Sequence, residues 1–343
     1  MHKIGIVGAT GYTGSELVRI LIHHPAVDVS LITSESYAGK KFADIHPQFT
    51  GINDTVLQSA DAIDSYDLDL VFLALPHGVS MEYVKKFRDR PFKMVDLSGD
   101  FRLQSPDTYE KWYNKDHTYR EGFNQAAFGI PELFRKKITE SRLVANPGCF
   151  PTTAILGIAP LLKEGVIQQK PILVDAKTGV TGAGAKAKEV THFPNVNDNF
   201  KAYGLKKHRH TIEIQEVLNA FAHTDAVVQF TPHLLPIDRG ILSTIYAIPN
   251  TLVSEEALKA LFTRFYADEP FVRVVDYVPE TKYVRGTNYC DVHPVFDDRT
   301  GMVMVLSAID NLVKGAAGQA VQNMNLLLGL DETTSLTAAG MNP

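Results

Sequence analysis

The sequence predicts an α/β chain, with a doubly wound parallel sheet through the first 145 residues and an α+β unit from Cys149 on. Three observations carry that prediction. Short apolar runs alternate with helix-period segments up to residue 145, and a glycine-rich turn, GATGYTG, joins the first run to the first helix. After Cys149 the strands follow one another with few helices between them. The length of 343 residues suits about two domains.

The elements follow in chain order. KIGIVG reads as a strand, GSELVRILIHH as a helix apolar on one face, and VDVSLIT and LDLVFLALP as buried strands. GVSMEYVKKFRDR is a helix leading to the strand FKMVDLS, and RLVAN is a further strand that runs into Pro147-Gly148. Beyond Cys149 come the helix TTAILGIAPLLKEG, the strand PILVDAKTG and a glycine-rich polar stretch from Gly179 to Gly204. VVQFTPHLL and ILSTIYAI flank Asp238-Arg239-Gly240 and suggest an antiparallel pair. SEEALKALFTRFYAD is an amphipathic helix capped by Ser254. MVMVLSAID is a last strand, and KGAAGQAVQNMNLLLGL a small-residue helix.

Composition narrows the function classes. Hydrophobic residues make up 45% and charged residues 21%, and a net charge of −5 without a basic run argues against nucleic acid. Two cysteines make no disulfide framework, which fits a reducing compartment. MHKIGIVGATGYTG is too short in its apolar run to be a signal peptide, and no apolar stretch has membrane-spanning length. The expectation is a soluble, cytoplasmic protein with no membrane partner.

Gly8, Gly11 and Gly14 lie at three-residue spacing between a strand and a helix, where bare backbone and free amides suit a pyrophosphate. A plain glycine turn is the other reading, and the first β-α turn of an α/β chain favours the nucleotide. The second strand ends in Thr33-Ser34-Glu35-Ser36, with Lys40 and Lys41 following. The hydroxyls of Ser34 and Ser36 with the lysines suit the 2′-phosphate of NADP, whereas Glu35 suits a ribose hydroxyl of NAD.

Cys149 stands where a turn becomes a helix, a placement that stabilises a thiolate, although a free cysteine is commonly a small core residue. Cys290, in the strand-like NYCDVHP, takes the core reading. In HRHTIEI, His208 and His210 precede a helix with Glu213 in its first turn, which offers an acid/base and a group to orient it. A solvated histidine pair is as good a reading of this motif alone. No metal is expected, since the cysteines lack zinc-ligand spacing and H-x-H has no H-E-x-x-H partner. DAKTGVTGAGAKAKEV, which contains Gly182 and Lys186, suits an anion or cofactor contact as well as a mobile surface loop.

GATGYTG, NPGCFPT, KTGVTGAGAK, HRHTIEI and NLVKGAAGQA occur in one order along nearly the whole chain. With them the chain resembles the N-acetyl-γ-glutamyl-phosphate reductases of arginine biosynthesis, relatives of aspartate-semialdehyde and glyceraldehyde-phosphate dehydrogenases. The resemblance implies a Rossmann-type domain over 1–148 completed by the C-terminal segment 312–343, and a catalytic and oligomerisation domain over 149–311 of the glyceraldehyde-phosphate dehydrogenase C-terminal type. It implies NADP(H), an acyl-phosphate substrate and a homo-oligomer, dimer or tetramer.

Residue roles follow from the same resemblance. Cys149 is the implied nucleophile and His210 the implied base, with His208 as its alternative and Glu213 beside them. Gly8, Thr10, Gly11, Tyr12, Thr13 and Gly14 match the cofactor loop; Asn311, Lys314 and Gly315 match a second cofactor segment. SGDFR matches a family motif that puts Arg102 near the transferred phosphate, and loop composition adds Lys186. Glu35 stands where family members often carry Arg.

Rival readings fit less of the chain. A short-chain dehydrogenase needs Tyr-x-x-x-Lys on one helix, and Gly39 and Gly204 interrupt Tyr37–Lys41 and Tyr203–Lys207. A redox sensor built on Cys149 leaves HRH unused. An aspartate-semialdehyde dehydrogenase-like enzyme differs only in the acyl phosphate it accepts.

Overall fold

In the computed structural model, which describes residues 1–342, the chain forms two units. Met1–Pro147 and Ala316–Thr337 make the first; Gly148–Gly315 and the residues from Ala338 onward make the second. Sequence reading assigns 312–343 whole to the nucleotide domain. The structure keeps Leu312–Gly315 in the second unit, where the turn is pinned through buried Asp310. The tail also returns there, Met341 N–H donating to Arg285 O at 2.9 Å.

The first unit holds six strands, β1 (His2–Val7), β2 (Val27–Thr33), β3 (Leu70–Leu73), β4 (Lys93–Asp96), β5 (Ala126–Phe128) and β6 (Leu143–Ala145). They are parallel, in the order β2-β1-β3-β4-β6-β5. β3 reads LVFL and is buried at every position, as a strand covered on both faces requires. The order reverses direction between β1 and β3, so the carboxyl ends of these two strands form the crevice where open α/β sheets take ligands. Residues 103–141, unassigned from sequence, contribute β5 and two helices that each begin with proline, Pro106–Tyr113 and Pro131–Glu140.

The helix Gly318–Leu327 packs on Pro131–Glu140 and Tyr12–Leu21 within this unit. It buries Ala320, Val321, Met324 and Leu327 together with four amide side chains. Gln319 Nε2 and Asn323 Nδ2 donate to Gly129 O at 2.9 and 3.0 Å, and Asn323 Nδ2 also reaches Asn146 Oδ1 at 3.0 Å. That network ties the helix to the end of β6.

The second unit has a seven-stranded mixed sheet of β7 (Ile172–Thr178), β8 (Lys201–Ala202), β9 (Val228–Leu234), β10 (Ile241–Ala247), β11 (Val272–Val274), β12 (Cys290–Asp297) and β13 (Met302–Ile309). The order is β11-β12-β13-β10-β7-β9-β8. The antiparallel pairing expected of β9 with β10 is therefore wrong. β7 lies between them, parallel to β9 and antiparallel to β10. The helix His210–Ala222 supplies the crossover that makes β7 and β9 parallel, and Leu235–Gly240 carries the chain past β7 to β10.

Helices Cys149–Lys163, His210–Ala222 and Glu255–Phe265 pack on this sheet. Ser254 caps the last of these, accepting from Ala257 N–H at 3.2 Å. The alternate residues of β10, Leu242, Thr244 and Tyr246, stay half-exposed, as do Met304 and Leu306 of β13. Among the described residues, no helix is long and apolar enough to cross a membrane.

Candidate active site

Cys149 is the first residue of a fifteen-residue helix whose N-cap is Gly148 in extended conformation. Thr152 N–H donates to Gly148 O at 3.1 Å, closing the first turn. Pro151 has no N–H, and the Gly148 N–H goes to Glu213 Oε1 at 2.7 Å. Of the first-turn amides, those of Cys149 and Phe150 can thus face a developing oxyanion. Pro160 lies inside this helix and cannot bond Leu156 O; Tyr266 Oη donates to that carbonyl instead. Cys149 is half-exposed, whereas Cys290 is fully buried on β12 with its sulfur 3.3 Å from Ser307 Oγ.

His210 opens its own helix. A Cβ built on Gly148 would lie 2.5 Å from His210 Nε2, so the imidazole lies directly against the residue that precedes Cys149. His208 leads into that helix. Its carbonyl accepts Thr211 N–H at 3.0 Å, which makes the lead-in a turn. The two rings lie 4.7 Å apart, and both meet the Phe150 ring edge-on.

His208 Nδ1 accepts the His210 N–H at 3.3 Å, which leaves its proton on Nε2. Burial, with the Arg209 charge beside it, pushes the His208 pKa down to about 4, so the ring is neutral at pH 7. Glu213 is fully buried in the same helix and holds the Gly148 loop through the bond already described. Sequence reading took Tyr203 only as half of a Tyr-x-x-x-Lys spacing and gave it no place in the site, yet its ring packs 5.4 Å from His208. Burial and the nearby Cys149 charge both raise its phenol pKa. An aromatic in a polar loop just ahead of HRH was the available signal.

In the second unit the expected cofactor segment divides. Asn311 Oδ1 accepts Gly240 N–H at 2.7 Å, and its Nδ2 donates to Thr181 Oγ1 at 3.0 Å. Its amide therefore braces the loop that carries exposed Gly182. Lys314 is fully buried with Nζ 5.5 Å over the Phe271 ring. Gly315 abuts Cys149: a Cβ there would lie 2.8 Å from Cys149 Cβ. Lys186 is exposed in its loop.

In the first unit, Gly8 has φ +88°, and a Cβ on it would lie 2.5 Å from Ala74 O. Only glycine takes both the conformation and the approach to the end of β3. Gly14 packs equally tightly on Gly8 and Ala9, whereas a Cβ on Gly11 would meet nothing nearer than 4.0 Å. Gly11 thus leaves clearance just where the helix Tyr12–Leu21 begins, with Tyr12 and Thr13 offering first-turn amides.

Ser34 Oγ lies 3.0 Å from Thr10 Oγ1, which links the glycine loop to the end of β2. Glu35 Oε1 accepts Ala60 N–H at 2.9 Å and caps the turn Ala60–Ser65. Ser36, Lys40 and Lys41 are exposed beyond it. The loop clearance and the free helix start fit a dinucleotide.

Arg102 is buried, and its Nε and Nη2 donate to Asn146 O and Leu97 O, each at 2.7 Å. The guanidinium expected at a phosphate thus bridges the chain ends after β4 and β6. Beside it, Asp100 accepts from Gly78 N–H at 2.7 Å, Met81 N–H at 3.0 Å and Tyr109 Oη at 3.0 Å. Asp96 accepts from Ser98 N–H at 2.9 Å and Ser98 Oγ at 2.8 Å, while burial and the Asp100 charge raise its pKa to about 6.

Residues 3–141 match the semialdehyde dehydrogenase NAD binding domain, and 149–311 match the semialdehyde dehydrogenase dimerisation domain. An N-acetyl-γ-glutamyl-phosphate reductase of Pelotomaculum thermopropionicum is 49% identical over 99% of both chains. That of Methanocaldococcus jannaschii is 48% identical over the full length of both. Among solved structures, aspartate semialdehyde dehydrogenase II of Vibrio cholerae aligns with TM-score 0.72 at 15% identity, covering 96% of this chain and 98% of that one. The Candida albicans aspartate semialdehyde dehydrogenase with NADP aligns with TM-score 0.71 at 17% identity, over 96% of this chain and 98% of that one. At such identities the structures attest the fold alone.

Proposed function

The chain belongs to the N-acetyl-γ-glutamyl-phosphate reductase family, and from that premise we propose that it reduces N-acetyl-L-glutamyl 5-phosphate to the 5-semialdehyde and phosphate through a thioester on Cys149. The observation that carries this reading is the seating of His210 against Gly148, one residue from a thiol at a helix start. His210 is the base that takes the Cys149 proton, and the helix N-terminus stabilises the thiolate.

Sulfur attacks the acyl carbon, the C–S bond forms, and the bond from that carbon to the phosphate oxygen breaks. The proton held on His210 leaves with the phosphate. The nicotinamide, when bound, supplies the hydride that brings the thioester carbon to the aldehyde level. The Cys149 and Phe150 amides hold the oxyanion, and its collapse returns the Cys149 thiolate. His208, neutral with a proton on Nε2, donates to a substrate oxygen.

NADP(H) is the cofactor of this reading, held by Gly8, Thr10, Gly11, Tyr12, Thr13 and Gly14. What supports NADP over NAD is the exposed pair Ser36 and Lys40 beyond β2, which suits a 2′-phosphate, while one oxygen of Glu35 is engaged by Ala60 N–H. The product would serve arginine biosynthesis in the cytoplasm. The half-exposed sheet face around Tyr246 and Met304 is the surface for a second copy, giving a dimer or tetramer.

The test is the reverse reaction: N-acetylglutamate semialdehyde and phosphate with NADP or NAD, followed by absorbance, with aspartate semialdehyde as the competing substrate. Cys149→Ser should lose activity by several powers of ten, since an alcohol is not ionised at neutral pH. Cys290→Ser should keep turnover within about twofold, because its buried thiol does no chemistry. Similar behaviour of the two variants, or preference for aspartate semialdehyde, would overturn the reading.

A further inference from the structure

Cofactor contact does not account for glycine at position 315. A Cβ there would lie 2.8 Å from Cys149 Cβ, 3.2 Å from Cys149 Cα and 3.2 Å from Ile309 Cδ1. The Ile309 methyl could turn aside. The Cys149 atoms could not, because they belong to the first residue of a packed helix.

The turn bearing Gly315 is equally fixed. Val313–Ala317 is π-helical, and Gly315 N–H donates to Asp310 O at 2.9 Å. The Asp310 carboxylate accepts from Leu312 N–H at 2.8 Å, Val313 N–H at 3.2 Å and Gly286 N–H at 2.7 Å, and pairs with Arg239 at 3.0 Å. The neighbouring Lys314 is fully buried. One residue before the nucleophile, Gly148 leaves similar room for the His210 ring.

We propose that Gly315 is a positioning residue for Cys149, its bare Cα forming the wall against which the nucleophile's Cα–Cβ bond is seated. The proposal rests on Cys149 being the nucleophile. A methyl at 315 displaces the start of the helix and changes how the sulfur meets its base. It alters chemistry at the thiol more than affinity for the dinucleotide.

Gly315→Ala is the test, made in a Cys290→Ser chain so that alkylation reads one thiol. Three measurements apply: the alkylation rate of Cys149 against pH, kcat with the cofactor KM in the reverse reaction, and the thermal midpoint. The expected result is a fall of at least tenfold in kcat and a comparable slowing of alkylation at neutral pH, with cofactor KM changed less than threefold. The loss in midpoint should also shrink when Cys149→Gly removes the Cβ that the new methyl strikes. Raised cofactor KM with kcat and alkylation unchanged would make Gly315 a cofactor residue and overturn the proposal. So would an equal midpoint loss with and without the Cys149 side chain. If Gly315→Ala does not fold alone, recovery in the Cys149→Gly chain supports the proposal and continued failure overturns it. Should the native chain reduce no acyl phosphate while alkylation and midpoints behave as stated, the functional reading fails and the seating of Cys149 by Gly315 stands.

Discussion

His208 and His210 are two residues apart, and their surroundings give them different work. His208 accepts an N–H on Nδ1 and has its pKa pushed down to about 4, so it has one proton to donate and does not titrate near neutrality. His210 presents Nε2 beside Gly148. His210→Asn should therefore slow turnover and neutral-pH alkylation of Cys149 by about 10²- to 10⁴-fold, the usual worth of a positioned base, with alkylation recovering at high pH. His208→Asn should raise the substrate constant and leave any inflection of the rate profile near pH 7 in place. Disappearance of that inflection in the His208 variant would transfer the base to His208. Gly148→Ala offers an independent reading, since its methyl would collide with the His210 ring and should mimic loss of the base.

Among the elements, Arg102 shows how a structure adds a bracing role to a residue matched by motif. SGDFR placed its charge at the phosphate, but the guanidinium bridges Leu97 O and Asn146 O at the ends of two strands. A lysine would offer one nitrogen in place of the two that make these bonds. Arg102→Lys should thus cost about 2–3 kcal/mol of stability and lower kcat, with less effect on the phosphate constant. A raised phosphate constant with an unchanged melting midpoint would restore the phosphate role. The same distinction governs what the sequence revealed. Strands β1 to β4, the Ser254 cap and the Cys149 and His210 helix starts were legible, because period and capping are local signals. The insertion of β7 between β9 and β10 was not, since partner choice depends on where a crossover helix lands. Lys314 was matched by motif, and no motif reports that a π-helical turn buries its ammonium.

For the molecule as a whole, buried histidines and a buried carboxyl respond to acid in opposite senses. In the first unit burial lowers the pKa of His24, His46 and His117, and in the second it lowers that of His208. Each binds a proton less readily folded than unfolded, so the stability it contributes is lost as pH falls from its ordinary value of 6.5 toward the lowered folded value. Asp96 works in the opposite direction. Its folded pKa of about 6 lies above the ordinary 3.8, so the folded carboxyl binds a proton first and stability is gained as pH falls between those values. In the first unit the histidines and Asp96 therefore oppose one another, the former losing stability as pH falls below 6.5 and the latter gaining it below about pH 6. Asp96→Asn removes the charge that burial and Asp100 penalise at pH 7, and its amide can still accept from Ser98 N–H while donating to Ser98 Oγ. The variant should melt higher than the native chain at pH 7, and the advantage should vanish by about pH 4, where the native Asp96 is itself protonated. Melting midpoints measured across pH 4–8 decide the matter. Parallel curves for the two proteins would mean that Asp96 does not titrate in this range, and the buried pair would need a different account.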